Sequence, residues 1–180
     1  MSVKTFGSEV LTSGDVNTYL ANSGLVYVTS VNVGSGVSSV TVSSAFNSSY
    51  DNYVVQYTGG TGSANVELAV RLGSAVTNYK WNLMYNTYVS STVLGIVSSA
   101  GTGWQYGGRS NTTGSNLSVN IYAPYLARPT YISAQYSAED AGGTFQGVQT
   151  DSTSFTSVIV YPQIGTMTGG TITVYGYRKA

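Results

Sequence analysis

Apolar and polar residues alternate along much of this chain with the two-residue period of a strand that buries one face. From Asn78 to Val89, the residues Tyr79, Trp81, Leu83, Tyr85, Thr87 and Val89 fall on one side. Lys80, Asn82, Met84, Asn86 and Tyr88 fall on the other. In Val66 to Leu72 the even positions are all Val or Leu, while Glu67 and Arg71 share the opposite face. Similar patterns predict strands over 25–31, 37–42, 53–57, 117–122, 130–136, 144–149, 155–161 and 171–178. Gly-, Ser- and Asn-rich turns such as Gly34-Ser35-Gly36 and Gly59-Gly60-Thr61-Gly62 separate them. About ten strands with no second helical pattern predict an all-β fold, an antiparallel β-sandwich of jelly-roll type over residues 25–180, with a closed barrel as the alternative.

Residues 1–24 read differently. Thr12-Ser13-Gly14-Asp15 has the spacing of a capping box; Val16, Tyr19 and Leu20 follow at i, i+3 and i+4, and Asn22-Ser23-Gly24 supplies a stop. The pattern predicts one short helix over 13–22. A helix of ~10 residues is marginal alone, so its apolar stripe must dock on the main domain or on a neighbouring subunit, which makes 1–24 an arm.

Composition narrows the chemistry. Asp, Glu, Lys and Arg make up 8% of the 180 residues, against about 25% in an ordinary soluble domain, and seven bases balance seven acids. The bases are scattered, so no groove for phosphates is expected and nucleic acid is not an expected partner. The chain has no histidine and no cysteine, hence no imidazole base, thiolate nucleophile or thiolate metal site. No cofactor is expected. No stretch approaches the ~18 apolar residues needed to span a bilayer, and the N-terminus lacks a secretory apolar core, so a soluble, unprocessed chain without membrane insertion is expected.

Few residues remain as candidates for a site. Glu139-Asp140 is the only local pair of acids and, beside Ala141-Gly142-Gly143, reads as a solvated turn; a calcium ion held by Glu139, Asp140 and Asp151 is the metal alternative. The Gly-rich loops are not followed by Lys-Ser/Thr and read as turns. Trp104, Tyr106 and Arg109 lie in a Gly-rich stretch that no strand pattern claims for the core. Aromatic planes beside a guanidinium are suited to stacking a sugar and bonding its hydroxyls, which makes these three the candidate glycan contacts; the alternative is that the rings pack at the end of the sandwich or a subunit seam. A β-rich chain with so few charges is poorly protected against edge-to-edge pairing, which predicts a stable homo-oligomer, a trimer in the first instance.

The two ends carry a resemblance. Phe6 to Asn22 is similar to the opening "F-x-x-G-x-x-L-T-A-x-D-V-N-T-Y-L" of many structural proteins of tailed bacteriophages, with the Gly shifted to position 7 and Ser13 in place of the Ala. Gly165 to Arg178, containing Thr168-Gly169-Gly170-Thr171-Ile172-Thr173-Val174-Tyr175-Gly176-Tyr177, resembles the closing "T-G-G-T-I-x-V-Y-G-Y" strand of the same group. The resemblance implies a non-enzymatic virion component made in the host cytoplasm: a surface fibre or tail adhesin subunit, with a capsid decoration or head-fibre protein as the alternative. It further implies an arm that anchors the subunit among other virion proteins through Phe6, Val10, Leu11, Val16, Tyr19 and Leu20, while the β-domain projects toward a host surface glycan. A glycan-depolymerising fibre enzyme and a secreted lectin-like module are the remaining readings.

Overall fold

The computed structural model describes residues 3–5, 8–10 and 24–179. It is an all-β protein with sixteen strands: β1 (Val3–Thr5), β2 (Ser8–Val10), β3 (Leu25–Asn32), β4 (Val40–Val42), β5 (Tyr50–Thr58), β6 (Thr61–Gly62), β7 (Val66–Leu72), β8 (Tyr79–Thr87), β9 (Leu94–Gly101), β10 (Trp104–Ser110), β11 (Ser115–Tyr122), β12 (Thr130–Ser137), β13 (Ala141–Gln149), β14 (Val158–Pro162), β15 (Met167–Thr168) and β16 (Thr171–Arg178). Every pairing is antiparallel. β1 and β2 form a separate hairpin, with Val3 opposite Val10. The helix predicted over 13–22 lies outside the described residues, and among those described there is no helix.

Two sheets share β11. One runs β3–β16–β5–β11–β12–β13–β8–β9, and the other runs β4–β14–β7–β10 and joins β11 through β10. β11 keeps one edge on β5 along Leu117 to Tyr122. Its other edge divides, with Ser115 to Leu117 bonding β10 and Val119 to Tyr122 bonding β12. Beyond that fork β10 packs across β12, β13 and β8, so two layers face each other as in a β-sandwich. At the far side β3 lies against β4.

The core follows the alternation in the sequence. Tyr53, Val55 and Tyr57 of β5, Leu117, Val119 and Ile121 of β11, and Ile172 and Val174 of β16 are all buried. Each fully buried aliphatic side chain contributes about 1.5–3 kcal/mol by leaving water. β7 is buried on both faces, by Leu68, Val70 and Leu72 on one and Ala69 on the other, because it lies inside the layered stack. The closing Gly-Gly of the terminal motif is structural: Gly169 and Gly170 both hold positive φ, at 68° and 78°, and turn the chain from β15 into β16. Tyr57 Oη donates to the carbonyl of Gly169 at 2.9 Å and locks that turn to β5.

Two strand predictions need correction, and two of the longer strands were not predicted. The 37–42 strand is shortened to β4, with Val37 making only an isolated bridge to Met167, and the 155–161 strand begins at Val158. β9 and β10 are strands where the sequence showed none. Leu94–Gly101 and Trp104–Ser110 are too rich in Gly and Ser to show a two-residue hydrophobic period. Their pairing with β8 and β7 comes instead from neighbouring strands that offer unpaired backbone.

Candidate functional site

Trp104 is not a surface platform for a sugar. It is fully buried, with its ring set edge-on to Tyr79 at 5.2 Å between centroids. The cause is β10: Trp104 stands opposite Val70 and Gly108 opposite Leu68, so Gln105, Tyr106 and Gly107 form a bulge between them. Gly108 permits the close approach of β11, since a Cβ there would lie 2.1 Å from the Asn116 carbonyl oxygen. The bulge turns Tyr106 into the space between the layers, 5.2 Å from the Trp81 ring and 5.8 Å from the Tyr136 ring. Of the three candidate glycan contacts, the fold thus assigns Trp104 to the core and leaves Tyr106 and Arg109 half-buried near each other.

Arg109 and Glu67 are direct cross-strand partners on β10 and β7, and their side chains form an ion pair only 16% and 21% exposed. Arg109 Nη1 donates to Glu67 Oε1, and Nε donates to Asn65 Oδ1 at 2.9 Å. Tyr136 Oη, from the opposite layer, stands 3.4 Å from both Glu67 Oε1 and Arg109 Nη1, donating to the first and accepting from the second. Burial raises the Tyr136 phenol to about 12, with the Glu67 carboxylate adding to the rise. The Tyr106 phenol is raised by the same two causes in the same order. At neutral pH both are neutral hydroxyls.

These groups line a mouth of about 230 Å³ between the layers, together with Leu83, Tyr85, Thr87 and Ile96. Asp140 and Ala141 complete its rim. The sequence showed Glu67 as a polar position on a half-buried strand and Tyr136 as a strand residue. Nothing in their spacing showed that they would meet Arg109, because the contact needs the bulge in β10 and the packing of β12 over it.

The other acids are dispersed. Asp140 and Glu139 occupy the β12–β13 turn, where Asn111 Nδ2 donates to Glu139 Oε1 at 2.7 Å. Asp151, beyond the far end of β13, accepts from Asn78 Nδ2 at 2.6 Å and is also bonded to Gln149. The calcium set of Glu139, Asp140 and Asp151 is therefore split between the two ends of one strand. Among the described residues no three acids stand close enough to share a metal ion. Of the expected anchoring residues, Val10 lies in the backbone of β2, and Phe6, Leu11, Val16, Tyr19 and Leu20 lie outside the described residues.

A second surface feature is the β8–β9 hairpin. From Trp81 to Gly108 the chain carries no charge. β9 ends the larger sheet and bonds β8 alone among the described strands. Val89 at the tip is 96% exposed and Val97 on β9 is 77% exposed, with Met84, Tyr88, Val93 and Leu94 also exposed around them. β9 itself carries no lysine, proline or charged residue, although sheet edges in isolated proteins ordinarily carry such protection.

Among the described residues no helix is long and apolar enough to cross a membrane. Comparison with protein-family models, with curated proteins and with solved structures finds no match to this chain.

Proposed function

We propose that this chain is a non-enzymatic structural subunit on the surface of a tailed-bacteriophage particle, a fibre or tail adhesin, that works as a homo-oligomer and is anchored by its N-terminal arm. The observation that carries the reading is the uncharged edge of β9, which no other described strand pairs, with its exposed valines. A strand with unpaired N–H and C=O groups and no charge to repel a copy of itself is suited to a permanent subunit contact. The resemblance of both chain ends to virion proteins supports the same assignment. So does the structural use of the closing motif, whose Gly-Gly turn and core residues Ile172 and Val174 serve assembly of the domain and no chemistry. The jelly-roll type of the sandwich belongs to this proposal. It is supported by β16, which inserts between β3 and β5, so that the final strand of the larger sheet pairs with that sheet's first two strands in chain order.

The test is immunogold labelling of purified particles with antibody raised against the chain. Label on the tail or its fibres is the expected result; label on the head would favour the decoration reading, and unlabelled particles would sink the virion assignment. A chain lacking residues 1–22 is expected to fold and yet stay out of particles; its incorporation would refute the anchoring role of the arm.

A further inference from the structure

We infer that the mouth between β7, β10 and the β12–β13–β8–β9 layer is a sugar site that takes one neutral pyranose ring and reads a vicinal diol. The inference deepens the adhesion part of the proposed function by naming the ligand class and moving the site from Trp104 to Glu67, Tyr85, Tyr106, Arg109 and Tyr136.

The polar groups there are left half-used. A guanidinium has five N–H donors and a carboxylate about four acceptor positions. Nε and Nη1 of Arg109 are engaged, by Asn65 and by Glu67 with Tyr136, while no described residue bonds Nη2. Oε1 of Glu67 takes both its protein contacts, and no described residue bonds Oε2. One donor group of Arg109 and one acceptor of Glu67, on directly paired residues of adjacent strands, are therefore unused by the described residues. Two neighbouring hydroxyls match that pair, one accepting from Nη2 and the other donating to Oε2. These are charge-assisted bonds, which are stronger and shorter than neutral ones.

The charge balance selects among ligands. Arg109 is offset by Glu67, and Asp140 stands on the rim, so a phosphate, sulfate or carboxylate would meet net negative charge. An ammonium offers only N–H donors and would leave the Nη2 donor of Arg109 without an acceptor. A neutral polyol meets neither penalty. Tyr85 and Tyr106 supply aromatic surface for the C–H face of a pyranose, and Leu83 and Ile96 an apolar floor. At about 230 Å³ the mouth is smaller than the ~300–1,000 Å³ of pockets for drug-sized ligands, which suits a single ring, such as a terminal residue or one unit of a chain threading past. The site is preorganised, because Arg109 is fixed by Asn65 and Glu67 before any ligand arrives, and little ordering cost remains.

The experiment titrates the full-length chain with methyl glycosides that between them cover both diol geometries. Methyl α-mannoside, β-galactoside and α-fucoside present cis diols; methyl β-glucoside and β-xyloside present trans ones. Backbone amide shifts are read by NMR. At least one glycoside is expected to saturate in the millimolar range, about 10 mM or tighter, with shifts centred on Glu67, Arg109 and Tyr136. Glu67→Gln, which is isosteric, and Arg109→Lys, which keeps the charge but loses the guanidinium fork, are each expected to weaken it about tenfold or more. Should either variant fail to fold, the deoxy analogue of the bound glycoside, lacking one hydroxyl of the diol, gives the same test on the native chain and is expected not to bind. No saturation by any member, shifts centred elsewhere, or equal binding of the deoxy analogue would overturn the inference. Because the assay needs no particle, its failure leaves the virion location standing, and unlabelled particles would leave the sugar site standing.

Discussion

The indole of Trp104 rests on the backbone of Gly147, so closely that a Cβ on Gly147 would lie 2.7 Å from both Cδ1 and Nε1 of the ring. β13 thus gives up a side chain to seat the largest fully buried ring of the core. The pair joins the two layers at the point where β10 bulges.

Gly147→Ala is expected to push the indole out of its seat and to destabilise the fold by about 1–3 kcal/mol, the usual cost of overpacking a filled core. Trp104→Ala should cost about 3–5 kcal/mol by leaving a cavity. Urea unfolding of purified protein checks both. A neutral Trp104→Ala would mean that the ring is not a core residue.

The ion pair of Arg109 and Glu67 predicts a stability effect separate from any ligand. Arg109→Leu leaves the half-buried carboxylate with only the Tyr136 hydroxyl and should cost about 1.5–3 kcal/mol, the range for hydrogen bonds to charged groups. A double-mutant cycle with Glu67→Gln is expected to show non-additivity, since the two residues share one network. Additive losses would show that the pair is not coupled.

Alkaline pH should unfold the protein sooner than its low charge alone suggests. Burial raises the phenols of Tyr53, Tyr57, Tyr79, Tyr106, Tyr136 and Tyr161 above their usual 10, with Tyr136 reaching about 12. In the unfolded chain these groups lose protons near pH 10 while the folded chain still holds them, so the unfolded state binds fewer protons and stability falls as pH rises. The contribution is complete below pH 10 and declines as pH climbs from there through about 12. Phenolate absorbance followed alongside circular dichroism is expected to show a delayed class of tyrosines that titrates together with unfolding. Titration of all sixteen tyrosines in one step, before any loss of structure, would contradict the burial assigned to them.

The β9 edge predicts that charge placed on it disperses the oligomer. Val93→Lys with Val97→Lys puts two cations on exposed positions of the β8–β9 hairpin, so folding should change by no more than about 0.5 kcal/mol per site. Mass photometry is expected to shift toward the 18.8 kDa monomer while the melting temperature holds. An oligomer that survives both lysines would place the subunit contact elsewhere.

How far the sequence could be read follows from the range of the forces involved. The alternation in Val66 to Leu72 and Asn78 to Val89 specified strands and which residues face inward, because strand geometry forces successive side chains to opposite faces. Leu68, Val70, Tyr79, Trp81 and Leu83 are all buried as that alternation requires, whereas Tyr85 and Thr87 are only half-buried and Val89, assigned to the same face, is exposed because β8 ends at Thr87 and the chain turns there. The low charge of the whole chain was equally plain, and with it the expectation of poorly protected edges; that β9 would form such an edge was not, because Leu94–Gly101 shows no two-residue period. The pairing of Glu67 with Arg109, the approach of Tyr136 and the burial of Trp104 against Gly147 were not legible. Each joins residues far apart in the chain, through a bulge whose glycines give no periodic signal. Local pattern decides which backbone conformation each segment adopts, since that depends on near neighbours. Which side chains converge on a site depends on how whole sheets stack, and only the assembled layers set that.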